Sequence, residues 1–394
     1  VEELEKMAVI IRCDIIDMIC TSAAGHPGGS LSAADVVTAL YFRVMRIDPK
    51  NPDWPDRDRF ILSKGHACPV WYAALAERGY FDKSNLKTLR RMGSILQGHP
   101  DMRKTPGIDM TAGSLGHGLS AGLGMALSGK LLQKDYHVFV IIGDGESQEG
   151  SIWEASMAAP NFKLDNLTAI LDYNHLQNDY CVDDLMPIEP LADKWRAFGW
   201  SVQEINGHDY AEIMQALTTI PFEVGKPNCV IAYTHKGEGV SFIKDRAGWH
   251  HRVPTEEELV LSFIQDAVQD TLGNSYALST ELATADAVVL YFTMWCPICD
   301  SHASHMRSAI IPDFPQVRFL LVDYVTGSIT ASRSAQLSNG YASSTVLVDT
   351  DLSLFNLYQA SMGTTVVIDS TGIVRMNEDY KDGVKLRAVL EALP

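Results

Sequence analysis

The chain lacks any apolar run approaching 18 residues, so no membrane-spanning helix can be read from it. It has no internal repeat and no low-complexity tract. It is also short of positive charge: 32 Lys and Arg stand against 49 Asp and Glu, a net charge of -17. The deficit runs throughout, with 25 basic and 37 acidic residues up to position 275 and 7 and 12 after it, and no basic stripe stands out. That distribution argues against nucleic acid or an anionic membrane as a partner. Cysteine is scarce and odd in number, seven in all, with five scattered among apolar neighbours. This is the pattern of reduced thiols in a cytoplasmic protein, not of a disulfide framework. The opening, Val1 to Ile10, is acidic and amphipathic and has no basic segment leading into an apolar one, so no secretory signal shows.

What is present is a chain of 394 residues, 46% hydrophobic and 21% charged, enough for two domains with real cores. Helical spacing of apolar residues runs from Leu4 to Ile19. A Gly-rich break at Gly25–Gly29 is followed by a helix expected from Ser32 to Arg43, with Ser32 and Asp35 at capping-box spacing. Arg59–Ser63 is a short apolar run. Three further segments are strands or helices set by small and β-branched residues: a helix over Gly118–Leu132, a strand over His137–Ile142 and a strand over Leu167–Leu171. A strand at Asn228–Tyr233 follows. Continuous apolar strands alternating with helices imply a doubly wound parallel sheet, in which ligands sit beyond the carboxyl ends of the strands. Thr255 and Glu258 form a second capping box, for a helix expected to reach Leu272 and stop at Gly273. The domain boundary is placed at 270–280. Beyond it, strands are expected at 287–292, 317–322, 344–348 and 364–368, with a last helix over 383–393.

Two patterns carry chemistry. Gly143-Asp144-Gly145 ends one buried strand and Asn174 follows the next. A divalent cation holding a diphosphate needs hard oxygen ligands, and Asp144, Asn174 and a backbone carbonyl near Leu176 could supply three. A lone Gly-Asp-Gly is also an ordinary strand-end turn. Four more loops, however, join glycine to histidine, around His26, His66, His99 and His117. The second pattern is Trp295-Cys296-Pro297-Ile298-Cys299, a Cys-x-x-Cys pair between a strand and a helix. It reads as a redox pair, as half of a metal site, or as two core thiols. The Trp before the pair and the Pro inside it favour the first.

Residues 1–272 resemble the N-terminal, thiamine-diphosphate-binding half of a split transketolase. The resemblance rests on ordered blocks, among them Ala24-Gly25-His26-Pro27-Gly28-Gly29, Ser63-Lys64-Gly65-His66, Gly98-His99-Pro100, Gly113-Ser114-Leu115-Gly116-His117-Gly118, Gly143-Asp144-Gly145-Glu146 and Lys236-Gly237-Glu238-Gly239. It implies a doubly wound α/β domain that binds thiamine diphosphate and Mg²⁺. Asp144, Asn174 and the Leu176 carbonyl would hold the metal. His66, His250, Gly143 and Gly145 would meet the diphosphate, and Gly113 and Leu115 the aminopyrimidine. His26 and His99 would face the sugar, and Glu149 would lie at a subunit interface. The implied reaction is transfer of a two-carbon ketol unit from a ketose phosphate to an aldose phosphate. The domain that binds the pyrimidine has no counterpart after residue 275. The implied partner is therefore a C-terminal transketolase subunit, in a homodimer or heterotetramer. Tyr173 and His251 depart from the family pattern, and His251 could crowd the phosphate pocket.

Residues 276–394 resemble a smaller thioredoxin-like α/β domain of the redoxin type, on the Cys pair and on Thr364-Thr365-Val366-Val367-Ile368-Asp369 followed by Gly372. Cys296 would attack and Cys299 resolve, giving thiol–disulfide exchange as the alternative activity. Gly363 stands where that family has a cis-proline, and a cis bond without proline is costly.

Overall fold

The computed structural model describes residues 1–178, 180–240, 242–254, 268–276, 278–282, 284–350, 352, 354–355, 358, 360–370 and 374–393. The chain divides into two compact units, Val1–Pro254 and Thr255–Pro394. Among the described residues no helix is long and apolar enough to cross a membrane.

The first unit is built on five parallel strands: β1 (Arg59–Leu62), β2 (Val138–Gly143), β3 (Leu167–Tyr173), β4 (Ser201–Asn206) and β5 (Asn228–Tyr233). Their order across the sheet is β1-β2-β3-β5-β4, and every neighbouring pair is parallel. Every residue of β2 and β3 is buried, as their unbroken apolar runs require of central strands. β4 lies at the edge and is largely half-exposed. Its sequence, Ser-Val-Gln-Glu-Ile-Asn, has no apolar run, so the pattern that reveals the other strands does not reveal this one.

Helices cover the sheet. α1 (Glu2–Ser22) ends on Ala23 in the left-handed region, and α2 (Pro27–Ser32) starts with a proline in its first turn. Next come α3 (Ala34–Ala39), α4 (Cys68–Arg78), α5 (His117–Leu131) and α6 (Gly150–Asn161). The helix expected to start at Ser32 begins earlier and is broken at Ala33. Ser32 is no cap: its hydroxyl bonds Gly29 O and the Asp172 carboxylate. Asp35 instead accepts from Arg12 and lies 2.7 Å from His208 Nδ1. Buried ionic partners outweigh a local capping bond that would satisfy only one helix end.

The second unit has a five-stranded mixed sheet: β6 (Ala287–Thr293), β7 (Val317–Asp323), β8 (Val346–Val348), β9 (Thr364–Asp369) and β10 (Val374–Asp379). The order is β8-β7-β6-β9-β10, with β6, β7 and β8 parallel and β9 and β10 antiparallel. Alternate residues of β6 feed two cores: Ala287, Val289 and Tyr291 one face, Val288, Leu290 and Phe292 the other. α7 (Pro297–His305) follows β6 directly, α8 (Ile329–Ser338) joins β7 to β8, and α9 (Val384–Glu391) closes the unit. The helix expected over 255–272 lies mostly outside the described residues, as does Gly372. Its expected end is not helical: Val268–Gln269 pairs antiparallel with Ser275–Tyr276 across a turn held by Asp270.

Candidate functional site

The carboxyl ends of β2, β3 and β5 converge on the polar loops of the first unit. A cavity of about 590 Å³ opens there, lined by Asn174, His175 and Leu176 after β3 and by Thr234 and His235 after β5. Asp144 follows β2, and its Oδ1 accepts from Gly145 N at 2.8 Å. Its Oδ2 is buried and has no hydrogen-bond partner among the described residues. Burial, with repulsion from Asp172 second, pushes the Asp144 carboxyl up to about 7. Gly145 lies against Gln177, where an added Cβ would come within 2.6 Å, so the Asp144 turn abuts the Leu176 segment. Asn174 Oδ1 accepts from Leu176 N at 3.1 Å and its Nδ2 donates to Asp172 at 3.2 Å, which fixes the amide. Among the described residues no three His, Cys, Asp or Glu side chains cluster as metal ligands. The expected set has one carboxylate, one amide and one carbonyl.

Three imidazoles gather beside these strand ends. The ring centroids of His26 and His66 are 5.1 Å apart, those of His66 and His250 5.1 Å, and those of His26 and His250 5.3 Å. His251 lies at their edge, 6.5 Å from His26. His99 joins through the glycine loop: a Cβ on Gly113 would sit 3.3 Å from its ring. Gly65 is needed for close backbone approach, since a Cβ there would meet Gly113 N at 2.9 Å. Leu115 is half-buried in the same loop, before α5. Glu149 is exposed at the N-cap of α6, against Gly116. Gly143 N donates to Glu146 Oε2 at 3.0 Å, and Glu146 also accepts from Ser63 and Gly116. Gly143 therefore shapes the loop, and its N–H is already engaged by protein.

Lys64, Asp172 and Lys236 complete the site, and the motif pattern assigns none of them a part. Lys236 Nζ donates to Leu176 O at 3.1 Å and lies 2.9 Å from His250 Nδ1. Lys64 pairs with Asp172 and donates to Gly29 O at 2.8 Å. Asp172 also accepts from Ser32, Thr234 and Asn174. The only sequence signal for the lysines is their position inside Gly-rich blocks.

Burial first, then nearby positive charge, holds His26 down to about 4 and His250 down to about 3, and pushes His66 and His99 in the same direction. Burial likewise holds His137 down to about 4. These rings are neutral at pH 7. A histidine with a depressed folded pKa binds fewer protons folded than unfolded, so stability is present above the ordinary value of about 6.5 and lost as pH falls toward 4. The expected result is imidazole NMR signals of His26 and His137 that remain in the neutral form at pH 5, with a melting temperature that falls between pH 6.5 and 4. Titration of either ring near pH 6.5 would contradict the burial argument.

Residues 4–264 match the family model described as transketolase, thiamine diphosphate binding domain. The chain belongs to the transketolase family. It is 50% identical over 255 residues to the 6-deoxy-6-sulfo-D-fructose transketolase subunit SqwG of Clostridium sp. (strain MSTE9), a match covering 65% of this chain and 93% of that relative. It is 44% identical over 258 residues to an apulose-4-phosphate transketolase subunit of Phocaeicola vulgatus, covering 66% and 92%. Human transketolase is 37% identical, covering 71% of this chain and 44% of that protein. Among solved structures, transketolase from Leishmania mexicana superposes with a TM-score of 0.64 at 33% identity, over 66% of this chain and 40% of that one. These relatives are named transketolases or transketolase subunits, which are transferases, and the front part of this chain is a transketolase thiamine-diphosphate-binding domain. The family match ends at residue 264.

Proposed function

We propose that the first unit is the diphosphate- and metal-binding half of a split transketolase. It would transfer a two-carbon ketol unit from a ketose phosphate to an aldose phosphate, with a separate chain supplying the pyrimidine-binding half. The observation that carries this reading is the triangle of His26, His66 and His250, held uncharged beside the Asp144 and Asn174 strand ends. The match in length supports the split: relatives named as subunits are covered to 92% or more, whereas human transketolase is covered to 44%. Two of these relatives are named for a sulfonated and a phosphorylated sugar, which points to substrates with an anionic tail.

The residues fit Mg²⁺ and thiamine diphosphate. Asp144 offers a buried oxygen with no partner among the described residues, and Lys236 already places a cation on the Leu176 carbonyl. Asp144, Asn174 and Leu176 O would hold the metal, with Gly145, His66, His250 and Lys236 toward the diphosphate. When bound, thiamine diphosphate supplies the carbon nucleophile that no side chain provides. Gly113 and Leu115 shape the wall facing the ring. His26 Nδ1 is buried and has no partner among the described residues, so a sugar hydroxyl or carbonyl oxygen reaching it gains a hydrogen bond not made there. Neutral His26 and His99 can each accept a proton at one ring nitrogen and donate from the other, and so move protons as oxygens on the substrate gain and lose charge. Exposed Glu149 would meet a neighbouring subunit. In an enzyme reconstituted with a pyrimidine-binding half, His26→Ala and His99→Ala should each lower kcat/KM by about 10²-fold, the scale of a lost proton-transfer group, while Mg²⁺-dependent cofactor binding is kept. Unchanged turnover in either variant would remove that residue from the chemistry.

A second reading applies to the other unit. Cys296 Sγ lies 3.1 Å from Cys299 Sγ and accepts from Cys299 N at the start of α7. The strand order of that unit and the placing of this pair after its central strand support the thioredoxin-like reading. The Met362–Gly363 bond is trans, and Gly363 takes φ +87. Cys299 is buried and Cys296 partly exposed, which suits Cys296 for attack on an incoming disulfide and Cys299 for resolving it.

A further inference from the structure

The loop before β9 places a third sulfur at the Cys pair. Met362 Sδ lies 3.3 Å from Cys296 Sγ, which itself lies 3.1 Å from Cys299 Sγ. The contact does not come from packing, since Met362 is 36% exposed. It comes from a pinned turn. Gly363 N donates to Phe292 O at 3.0 Å and Tyr380 N donates to Gly363 O at 2.8 Å. Ser361 N donates to Thr364 Oγ1 at 2.8 Å, and that hydroxyl bonds Asp379 at 3.0 Å. Gly363 in the left-handed region turns the chain so that the residue before it, and not Gly363 itself, meets the cysteines.

We propose that Cys296, Cys299 and Met362 form a three-sulfur site for a soft monovalent metal ion, Cu(I). Thioether sulfur is a poor ligand for Mg²⁺ or Ca²⁺ and a good one for Cu(I), and two thiolates with one thioether match that ion's preference. Metal–sulfur bonds of about 2.3 Å in a trigonal arrangement put the sulfurs about 4 Å apart, so the two contacts of Cys296, at 3.1 and 3.3 Å, need only open slightly to admit the ion. Cys299 N–H donates to Cys296 Sγ at 3.3 Å, which holds that sulfur at the start of α7. Exposed Met362 and Ile298, the latter 53% exposed, leave the site open to solvent for entry of the ion. The site shares Cys296 and Cys299 with the thiol–disulfide reading but does not rest on it: the ion needs the reduced pair and Met362, whereas exchange needs only the two cysteines.

The test titrates the reduced full chain with Cu(I) under anaerobic conditions, against bicinchoninate as chromophoric competitor. The chain carries five other cysteines, so Cys296→Ser is the background to subtract. The expected result is one equivalent of Cu(I) held by the wild-type chain above that background, with three sulfurs in the X-ray absorption first shell. Met362→Leu keeps the volume and both thiols. It should weaken binding by roughly tenfold or more, as loss of a ligand costs no less than loss of a supporting shell. Disulfide formation between Cys296 and Cys299 with oxidised glutathione should be unchanged in Met362→Leu, which shows that the thiols and fold survive. Cu(I) retention no greater than in Cys296→Ser, or equal affinity in Met362→Leu and wild type, would overturn the proposal.

Discussion

Asp144→Ala is expected to abolish Mg²⁺-dependent binding of thiamine diphosphate while leaving the cofactor-free fold as stable as before, or more so. The two halves of this result come from one fact. The carboxylate is buried, 2% exposed, with one oxygen unpartnered among the described residues and another carboxylate, Asp172, nearby. Its folded pKa, about 7 against an ordinary 3.8, means that ionisation is harder in the folded chain than in the unfolded one. A group of that kind opposes folding where it is charged in the unfolded state, so its removal relieves a penalty at neutral pH. A bound cation is what makes such a carboxylate worthwhile. Loss of an outer-shell metal partner costs 10- to 100-fold in affinity, so loss of the ligand itself should cost about 10²-fold or more. Calorimetric titration with Mg²⁺ and thiamine diphosphate, beside a thermal melt without them, reads both halves. Retained binding would remove Asp144 from the metal set; a large drop in the cofactor-free melting temperature would make its role structural.

Lys64→Met should show the opposite profile, a large loss of stability before any ligand is added. Lys64 and Asp172 are a buried ion pair, with side chains each 3% exposed. Asp172 gathers donors from Ser32, Thr234 and Asn174 besides Lys64, and burial alone would raise its pKa. Those partners, Lys64 first, hold the carboxyl below its usual range. Removing the lysine leaves a buried charge without its paired cation, which costs about 3–5 kcal/mol. Denaturant unfolding of the full chain, following the first unit by a front-unit probe such as buried Trp71 or Trp195, measures the change. A shift below about 1 kcal/mol would mean that the hydroxyls and amide around Asp172 suffice without Lys64.

These two residues also mark how far sequence alone could go. Asp144 was legible because Gly-Asp-Gly ends an apolar run, and β2, β3 and β5 were legible because central parallel strands are apolar throughout. The Gly-His loops placed His26, His66 and His99 at one site, and His250 entered through the family resemblance. Lys64 and Asp172 were not legible as a pair, because their contact crosses 108 positions and no local rule joins a loop lysine to a strand-end aspartate. Ser32 misled for the same reason: its spacing to Asp35 suits a cap, but a long-range carboxylate takes its hydroxyl. β4 was lost because an edge strand need not be apolar. In the second unit the Cys pair was plain, yet Met362 was not, since a turn through Gly363 and not any motif brings its sulfur across.

The most direct measurement is a ketol-transfer assay on the purified chain with Mg²⁺ and thiamine diphosphate, alone and mixed with a separately expressed pyrimidine-binding half of a split transketolase. Activity in the mixture, with little or none in either component alone, is the predicted result. No activity in a mixture whose added half works with its own partner would contradict the assignment of the first unit as a catalytic half-site.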